Sequence, residues 1–363
     1  MTSSPTRRVF LQTSPQLIAA LSLASTLRSP AEASQATRRR IKIGQIGVKH
    51  AHASKLSVYR ASSDYEVVGI VEPDDNAWSR AQRQAAFRDV PRMTEAQLLG
   101  VPGLEAVLVE THVRDLLAVA QRCVEAGKHI HLDKPAGQSL PDYQRLLNSA
   151  SKTNLLVQMG YMYRYNPAVV LLREFLKRGW LGDVFEVHAV ISKVVDAESR
   201  LQLAEFPGGI MFELGCHVID LVLGVIGSPT KVTPYARHTG PHKDKLNDNM
   251  LAVFETDRAL ATVKSTALEV EGGARRHLVV CGTQGTFHIQ PIENPVATIS
   301  LNVQHDDFRA GIQTRDFPKF TRYVADAADM AAIVRGEKAS DFSYEHDLAV
   351  QRSVLQASGS PGG

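Results

Sequence analysis

From Ile41 to Met159 the chain alternates unbroken apolar runs with amphipathic stretches, and this alternation constrains the fold more than any other feature. Ile41–Val48, Tyr65–Val71, Leu104–Glu110, His129–Leu132 and Leu155–Met159 have strand length and are apolar along most of it. Strands of that kind cannot keep one face in water, so both faces must be covered. Helical patterning separates them at Ala51–Ser62, Asn76–Phe87, Met93–Leu99, Arg114–Ala126 and Leu140–Ser151. Doubly buried strands alternating with helices imply a doubly wound parallel sheet with helices on both sides.

Past residue 160 the pattern changes. A helix at Ala168–Arg178, a strand at Val184–Lys193 and a helix at Gly208–Ile226 precede six strand-like segments with no helix between them: Lys231–His238, Met250–Glu255, Leu260–Ala267, His277–Cys281, Thr286–Gln290 and Ala297–Val303. Such a run implies an α+β domain built on a large open antiparallel sheet. The Gly208 helix and a later one at Phe320–Arg335 are expected on one face of this sheet. The other face is left for a second copy, in a homodimer or homotetramer. A final helix is expected at His346–Leu355. The domains expected are 41–158 and 159–357, with 358–363 a disordered tail.

The 363 residues, 44% hydrophobic and 22% charged, are enough for two such cores. Of the formal net charge of +3, Arg7, Arg8 and Arg28 against Glu32 supply +2, so the remainder is close to neutral. Nothing in that balance suggests a nucleic-acid surface. Thr6-Arg7-Arg8-Val9-Phe10-Leu11 resembles a twin-arginine export motif; an apolar stretch Leu17–Leu27 and Ala31-Glu32-Ala33 come after it. Residues 1–33 are therefore expected to be a signal peptide, 34–40 a linker, and the mature protein periplasmic, with a cytoplasmic location as the alternative. No segment is long and apolar enough for a membrane helix. Cys123, Cys216 and Cys281 form no disulfide framework. His50-Ala-His52 and His129-Ile-His131 have ligand-like spacing but show no third ligand, so no metal is expected.

The first strand-turn-helix is where a dinucleotide pyrophosphate would bind, in a G-x-G-x-x-G turn. Gly47-Val48-Lys49-His50-Ala51-His52 keeps only the first glycine. The Lys49 ammonium offers a phosphate contact, and His50 lies in the same turn. Glu72 closes the second strand 25 residues after Gly47, where a carboxylate binds the adenosine ribose and repels a 2′-phosphate. NAD is thus favoured over NADP. Lys134 stands at the carboxyl end of the strand His129–Leu132, on the crevice side of the sheet, and Pro135 keeps it out of helical conformation. Farther on, Pro207-Gly208-Gly209 opens a helical pattern in which Glu213, His217 and Asp220 are spaced by four and three, which puts them on one face. Two acids and an imidazole on an otherwise apolar helix are placed either for proton transfer at a cleft or as a core histidine satisfied by a carboxylate one turn away.

Several segments together carry a family likeness. Gly127-Lys128-His129-Ile130-His131-Leu132-Asp133-Lys134-Pro135, Gly160-Tyr161-Met162-Tyr163-Arg164-Tyr165-Asn166-Pro167, Gly208-Gly209 with Glu213, His217 and Asp220, and Gly282-Thr283-Gln284-Gly285-Thr286 stand in order and at the right spacings. The chain resembles the glucose–fructose oxidoreductase / inositol dehydrogenase / rhizopine-catabolism (Gfo/Idh/MocA) family over roughly residues 41–357. The resemblance implies a Rossmann domain followed by an α/β domain with an open sheet. It implies that Lys134 contacts substrate and nicotinamide ribose, that His217 is the acid/base group, and that Thr111 and Asp133 flank the cofactor. Tyr163, Arg164 and Asp220 would line the substrate. The chain departs from the family pattern at Lys49 and His52 (glycines), Asp133 (glutamate), Glu213 (aspartate) and Thr111-His112-Val113 (Thr-Pro-Asn).

The implied reaction is hydride transfer between a carbinol carbon of a sugar, sugar derivative or cyclitol and tightly held NAD. An exported enzyme without a free nucleotide pool points to a redox-neutral variant as the alternative: transient oxidation enabling epimerisation, elimination or glycosidic cleavage. A non-catalytic sugar- or partner-binding protein is the alternative of another class.

Overall fold

The computed structural model describes residues 39–360. The leader reading and residues 361–363 lie outside the described residues.

The first sheet has six strands: β1 (Ile41–Ile46), β2 (Tyr65–Val71), β3 (Arg92–Met93), β4 (Leu104–Val109), β5 (His129–Leu132) and β6 (Val157–Met159). Every neighbouring pair is parallel, in the order β3-β2-β1-β4-β5-β6. The helices between them are α1 (Leu56–Ala61), α2 (Asp75–Ala81), α3 (Glu95–Leu99), α4 (Leu116–Glu125) and α5 (Leu140–Lys152). This is the expected doubly wound sheet. Its strand order reverses between β1 and β4, which opens a crevice at their carboxyl ends. Local chemistry sets the boundaries. Asp74 caps α2 by accepting the N–H groups of Asn76 and Ala77 at 2.9 and 3.0 Å. Thr94 and Gln97 form a capping box at the start of α3. The expected helix at Met93–Leu99 therefore begins only after Met93, and Arg92–Met93 joins the sheet edge.

The second domain begins with α6 (Pro167–Lys177), β7 (Val184–Val190), α7 (Ala197–Leu203) and α8 (Cys216–Ile226). Then come β8 (Lys231–Arg237), β9 (Asn249–Glu255), β10 (Leu260–Thr266), α9 (Gly272–Arg275), β11 (His277–Gly282), β12 (Gly285–Ile289), β13 (Val296–Leu301) and β14 (Gly311–Asp316). The sheet order is β14-β13-β12-β11-β7-β10-β9-β8. It is antiparallel except at its centre, where β7 pairs parallel with β10. Burial alternates along β9 and β10, so one face meets α8 and the core while the other stays partly exposed. The short α7 and edge strand β14 are additions to the expected elements.

The C-terminal helices α10 (Val324–Val334) and α11 (Tyr344–Ala357) depart from expectation. Helix α10 does not lie on the second sheet. Its Ala327, Met330 and Ala331 are buried with Ile41, Tyr59, Tyr65 and Leu108 of the first domain, and the Tyr65 hydroxyl donates to the Ala327 carbonyl at 2.6 Å. The chain thus returns to its first domain. Helix α11 packs against α8 and α5 and joins both halves. The expected disordered tail also begins too early: Ser358 is 4% exposed and its N–H closes α11 on the Val354 carbonyl at 3.0 Å. No helix among the described residues is long and apolar enough to cross a membrane.

The first turn of α10 buries a carboxyl. Asp326 is 2% exposed, and burial, opposed by the nearby Lys55, pushes its pKa up from 3.8 to about 6. The folded state then binds this proton more tightly than the unfolded one. Stability is lost as pH rises from about 4 to about 6, by roughly 3 kcal/mol for two pKa units. Asp326→Asn should therefore raise the melting temperature above pH 6 and leave it unchanged near pH 4. An equal shift at both pH values would contradict the titration account.

Candidate active site

A cavity of about 710 Å³ opens at the carboxyl ends of the first sheet, lined among others by Gly47, Lys49, Glu72, Thr111 and His112. Gly47 follows β1 with φ +92°, and a Cβ there would lie 2.5 Å from the Glu110 carbonyl oxygen. Only glycine allows β1 and β4 to splay this closely. Glu72 is 3% exposed; its carboxylate accepts the N–H groups of Val48 at 3.3 Å and Asp74 at 3.0 Å. Each oxygen retains a second lone-pair direction for a ribose hydroxyl. A glycine-edged crevice with a fixed carboxylate at its β2 end fits the adenosine half of NAD. Lys49 lines the same cavity, but its ammonium sits 2.8 Å from Asp74 and 3.8 Å from Glu72. Its charge therefore answers these two acids as well as any phosphate.

Two residues expected at the cofactor lie beneath the cavity instead. Asp133 is fully buried, with His50 Nδ1 2.5 Å from its Oδ2 and His52 Nδ1 3.3 Å from its Oδ1. Lys55 reaches the same carboxylate at 3.4 Å and Glu110 at 2.9 Å. Placing His50 and Asp133 as direct dinucleotide contacts is therefore corrected: their side chains turn toward each other. The cause is the turn itself. His52 occupies a helix-entry position with φ −102° and ψ 0°, where the third glycine of the fingerprint would stand, and a single turn of 3₁₀ helix at Ala53–Lys55 succeeds it.

Lys134 follows β5 and is 1% exposed. Its Nζ donates to Glu213 Oε1 at 2.8 Å and to the Glu213 carbonyl at 2.9 Å. Gln351 of α11 clamps the loop after it, accepting from Ala136 N–H at 3.1 Å and donating to the Gly137 carbonyl at 2.5 Å. Burial alone would discharge both members of the Lys134–Glu213 pair. Their mutual attraction outweighs it, holding the lysine above its ordinary pKa and bringing Glu213 down to about 2. The pair is ionised at neutral pH.

The expected helix around these residues is interrupted. Met211–Gly215 forms one π-helical turn before α8. A turn of this kind takes in an extra residue and rotates the rest of the helix by roughly 100° about its axis. Glu213 still meets Lys134. His217, 2% exposed, has its ring 5.5 Å from Tyr163, 6.3 Å from Tyr161 and 5.9 Å from His52. Burial first, then Lys134 and His52, holds its pKa well below 6.5, so the imidazole is neutral. Its Nδ1 is buried with no hydrogen-bond partner.

Asp220 falls out of the line. It accepts Arg164 Nε at 3.0 Å, and the same guanidinium reaches Asp347 of α11 at 2.6 Å. All three are buried, at 2–3% exposure. The expectation that Arg164 and Asp220 line the substrate is corrected: they form an ion network that ties the interdomain turn to α8 and α11. Tyr163 points the other way along the 3₁₀ turn Met162–Tyr165. Its hydroxyl donates to Glu293 at 2.5 Å, and Arg276 and Arg322 flank that carboxylate.

Residues 41–161 match the oxidoreductase family with NAD-binding Rossmann fold, and residues 169–288 match the GFO/IDH/MocA C-terminal domain. Inositol 2-dehydrogenase 1 of Saccharopolyspora erythraea is 33% identical over 251 residues, 68% of this chain and 71% of that protein. The chain belongs to the Gfo/Idh/MocA oxidoreductase family. Solved structures share the fold. An oxidoreductase from Agrobacterium radiobacter in complex with NAD+, L-tartaric acid and magnesium superposes with a TM-score of 0.75 at 16% identity, over 88% of this chain and 96% of that one. UDP-N-acetylglucosamine 3-dehydrogenase from Acidithiobacillus ferrooxidans gives 0.73 at 17%, over 89% and 98%.

As a family member the chain is an oxidoreductase with an NAD-binding Rossmann domain. Against that background the residues missed by sequence reasoning stand out. Lys55, Glu110 and Asp347 are buried partners supplied from distant elements, and no local spacing announces them. His52 was visible as a replaced glycine, and the structure gives it a partner in Asp133.

Proposed function

We propose that this chain oxidises a CH–OH group of a sugar, sugar derivative or cyclitol, using tightly held NAD. The observation that carries the reading is the meeting of a cationic lysine and a neutral histidine between the two domains. Lys134 is held by Glu213 at 2.8 Å, and His217 stands on α8 with its pKa held well below 6.5 by burial and by Lys134. NAD, when bound, supplies the hydride acceptor. His217 takes the hydroxyl proton, which a neutral imidazole can do and an imidazolium cannot. Lys134 places its charge where the alkoxide develops. Glu213 fixes the ammonium, and Tyr163 packs against the His217 ring. The dehydrogenase names of the relatives support the substrate class.

The Thr6–Ala33 leader adds export to the proposal. Outside the cytoplasm the bound NAD must be regenerated within one cycle, which favours the redox-neutral variant as a second reading. The outward face of the second sheet, where Glu186, His188 and Thr262 stand partly exposed, is the proposed contact in a homodimer or homotetramer. The non-catalytic alternative has no use for the ionised Lys134–Glu213 pair beside a neutral His217.

Native mass spectrometry of the protein purified without added nucleotide tests the cofactor. About one NAD per chain is expected; a protein that also refuses added NAD and NADP would overturn the reading. Lys134→Met should lower kcat/KM about 10²–10³-fold. It also leaves Glu213 unpaired, so Lys134→Met/Glu213→Gln should recover thermal stability but not turnover. Recovery of both would reduce Lys134 to a structural role.

A further inference from the structure

Asp133 supplies what the His50-Ala-His52 motif lacks in the sequence, a third donor. One ring nitrogen each of His50 and His52 and a carboxylate oxygen of Asp133 all lie within 4.8 Å of one another. Ligands of a tetrahedral ion bound at 2.0–2.2 Å are about 3.4 Å apart, so modest side-chain adjustment would close the set. A second observation concerns lone pairs. His50 Nδ1 can accept the His52 backbone N–H at 3.3 Å when it carries no proton. Yet Asp133 Oδ2, also an acceptor, lies 2.5 Å from the same nitrogen and finds no hydrogen-bond donor of good geometry, although it is fully buried. Atoms that close share a positive centre: a proton on His50 Nδ1 supplies it in the metal-free protein, and a bound ion would replace that proton and move the two ligands apart. Lys55 approaches Oδ2 only to 3.4 Å, while Glu110 holds it at 2.9 Å.

We propose that His50, His52 and Asp133 bind a divalent first-row transition ion, zinc foremost, at the floor of the cleft. Two imidazoles and one carboxylate suit such an ion, and three protein ligands leave a coordination position open. Of the three side chains His52 is the most exposed, at 17%. Its ring lies 5.9 Å from His217 and 6.0 Å from Tyr323. The ion therefore enters past His52, with its open position toward His217 and Tyr323. The site accounts for the replacement of glycine by His52 at the helix entry and revises the expectation of no metal. It is argued from these three side chains and does not rest on the dehydrogenase reading.

The test is a Co²⁺ titration of the untagged, full-length protein after chelator treatment, followed by visible absorption, with Zn²⁺ as competitor and NAD content read on the same sample. The expected result is one Co²⁺ per chain with a d–d spectrum of low-symmetry nitrogen–oxygen coordination, displaced by Zn²⁺. His52→Ala and His50→Ala should each weaken binding about tenfold or more, while His238→Ala/His242→Ala, at the surface, leaves it unchanged. Thermal melts establish that the variants fold; if His50→Ala does not, the more exposed His52→Ala decides. No stoichiometric binding, or binding insensitive to His52→Ala, would overturn the site and leave a proton shared by His50 and Asp133 in its place. Metal without NAD would contradict the proposed function and not this site; NAD without metal would do the reverse.

Discussion

His217→Gln should lower kcat about 10²–10⁴-fold, the range for removal of a positioned general base, and leave NAD retention unchanged. The argument is geometric before it is electrostatic. His217 stands on α8, with aromatic rings on several sides: Tyr163 at 5.5 Å, Tyr161 at 6.3 Å and His52 at 5.9 Å. Glutamine keeps similar bulk and a polar end but cannot take a proton at neutral pH. Because the residue belongs to the second domain and does not line the cavity at Gly47 and Glu72, the nucleotide should bind as before. Steady-state kinetics with the best of a panel of sugars and cyclitols, beside native mass spectrometry, checks both halves. A variant within a few-fold of wild type would remove His217 from the chemistry.

Arg164→Met should cost about 3–5 kcal/mol of stability, the range for breaking a buried ion pair from one side. Arg164 satisfies Asp220 and Asp347 together, at 3.0 and 2.6 Å, and stacks 4.1 Å from the centroid of Phe342. Methionine preserves much of the stem packing, yet leaves two buried carboxylates facing each other. Asp220, now held below its ordinary pKa against burial by Arg164 and His346, would keep only the His346 contact at 3.3 Å. Adding Asp220→Asn should recover part of the loss by removing one charge. Denaturant unfolding of the three proteins measures it. If Arg164→Met melts with wild type and instead raises KM, the guanidinium contacts substrate after all.

That contrast shows what local sequence can and cannot carry. The parallel sheet was legible because a doubly buried strand has a compositional signature in its own residues, and β2 spans Tyr65–Val71 as read. The positions of Glu72 and Gly47 were legible for a similar reason: each lies at a fixed offset from a strand end. Asp220 was not. Its spacing from His217 is helical, but the π-turn at Met211–Gly215 breaks the phase with Glu213, and nothing in the local composition forces an extra residue into that turn. Helix α10 misled for another reason. Its apolar face is compatible with either sheet, and the partner that decides, the Ile41–Tyr65 core, lies more than 250 residues earlier.

The cluster under the cavity is a middle case. His52 for glycine and Asp133 for glutamate were each visible as departures from the family pattern, separated by 81 positions. The structure makes them one feature, since the side chain that is shorter by a methylene faces both imidazoles.

The central proposal is that hydride leaves a carbinol carbon of a substrate held beside Lys134 and His217. Deuterium transfer in a single turnover tests it most directly: the NAD-loaded protein is mixed with carbon-deuterated sugars and cyclitols, and the nicotinamide is examined by mass spectrometry and NMR. Deuterium at nicotinamide C4, greatly slowed in His217→Gln, is the predicted result. A protein that holds NAD stoichiometrically yet takes up no deuterium from any of these alcohols would contradict it.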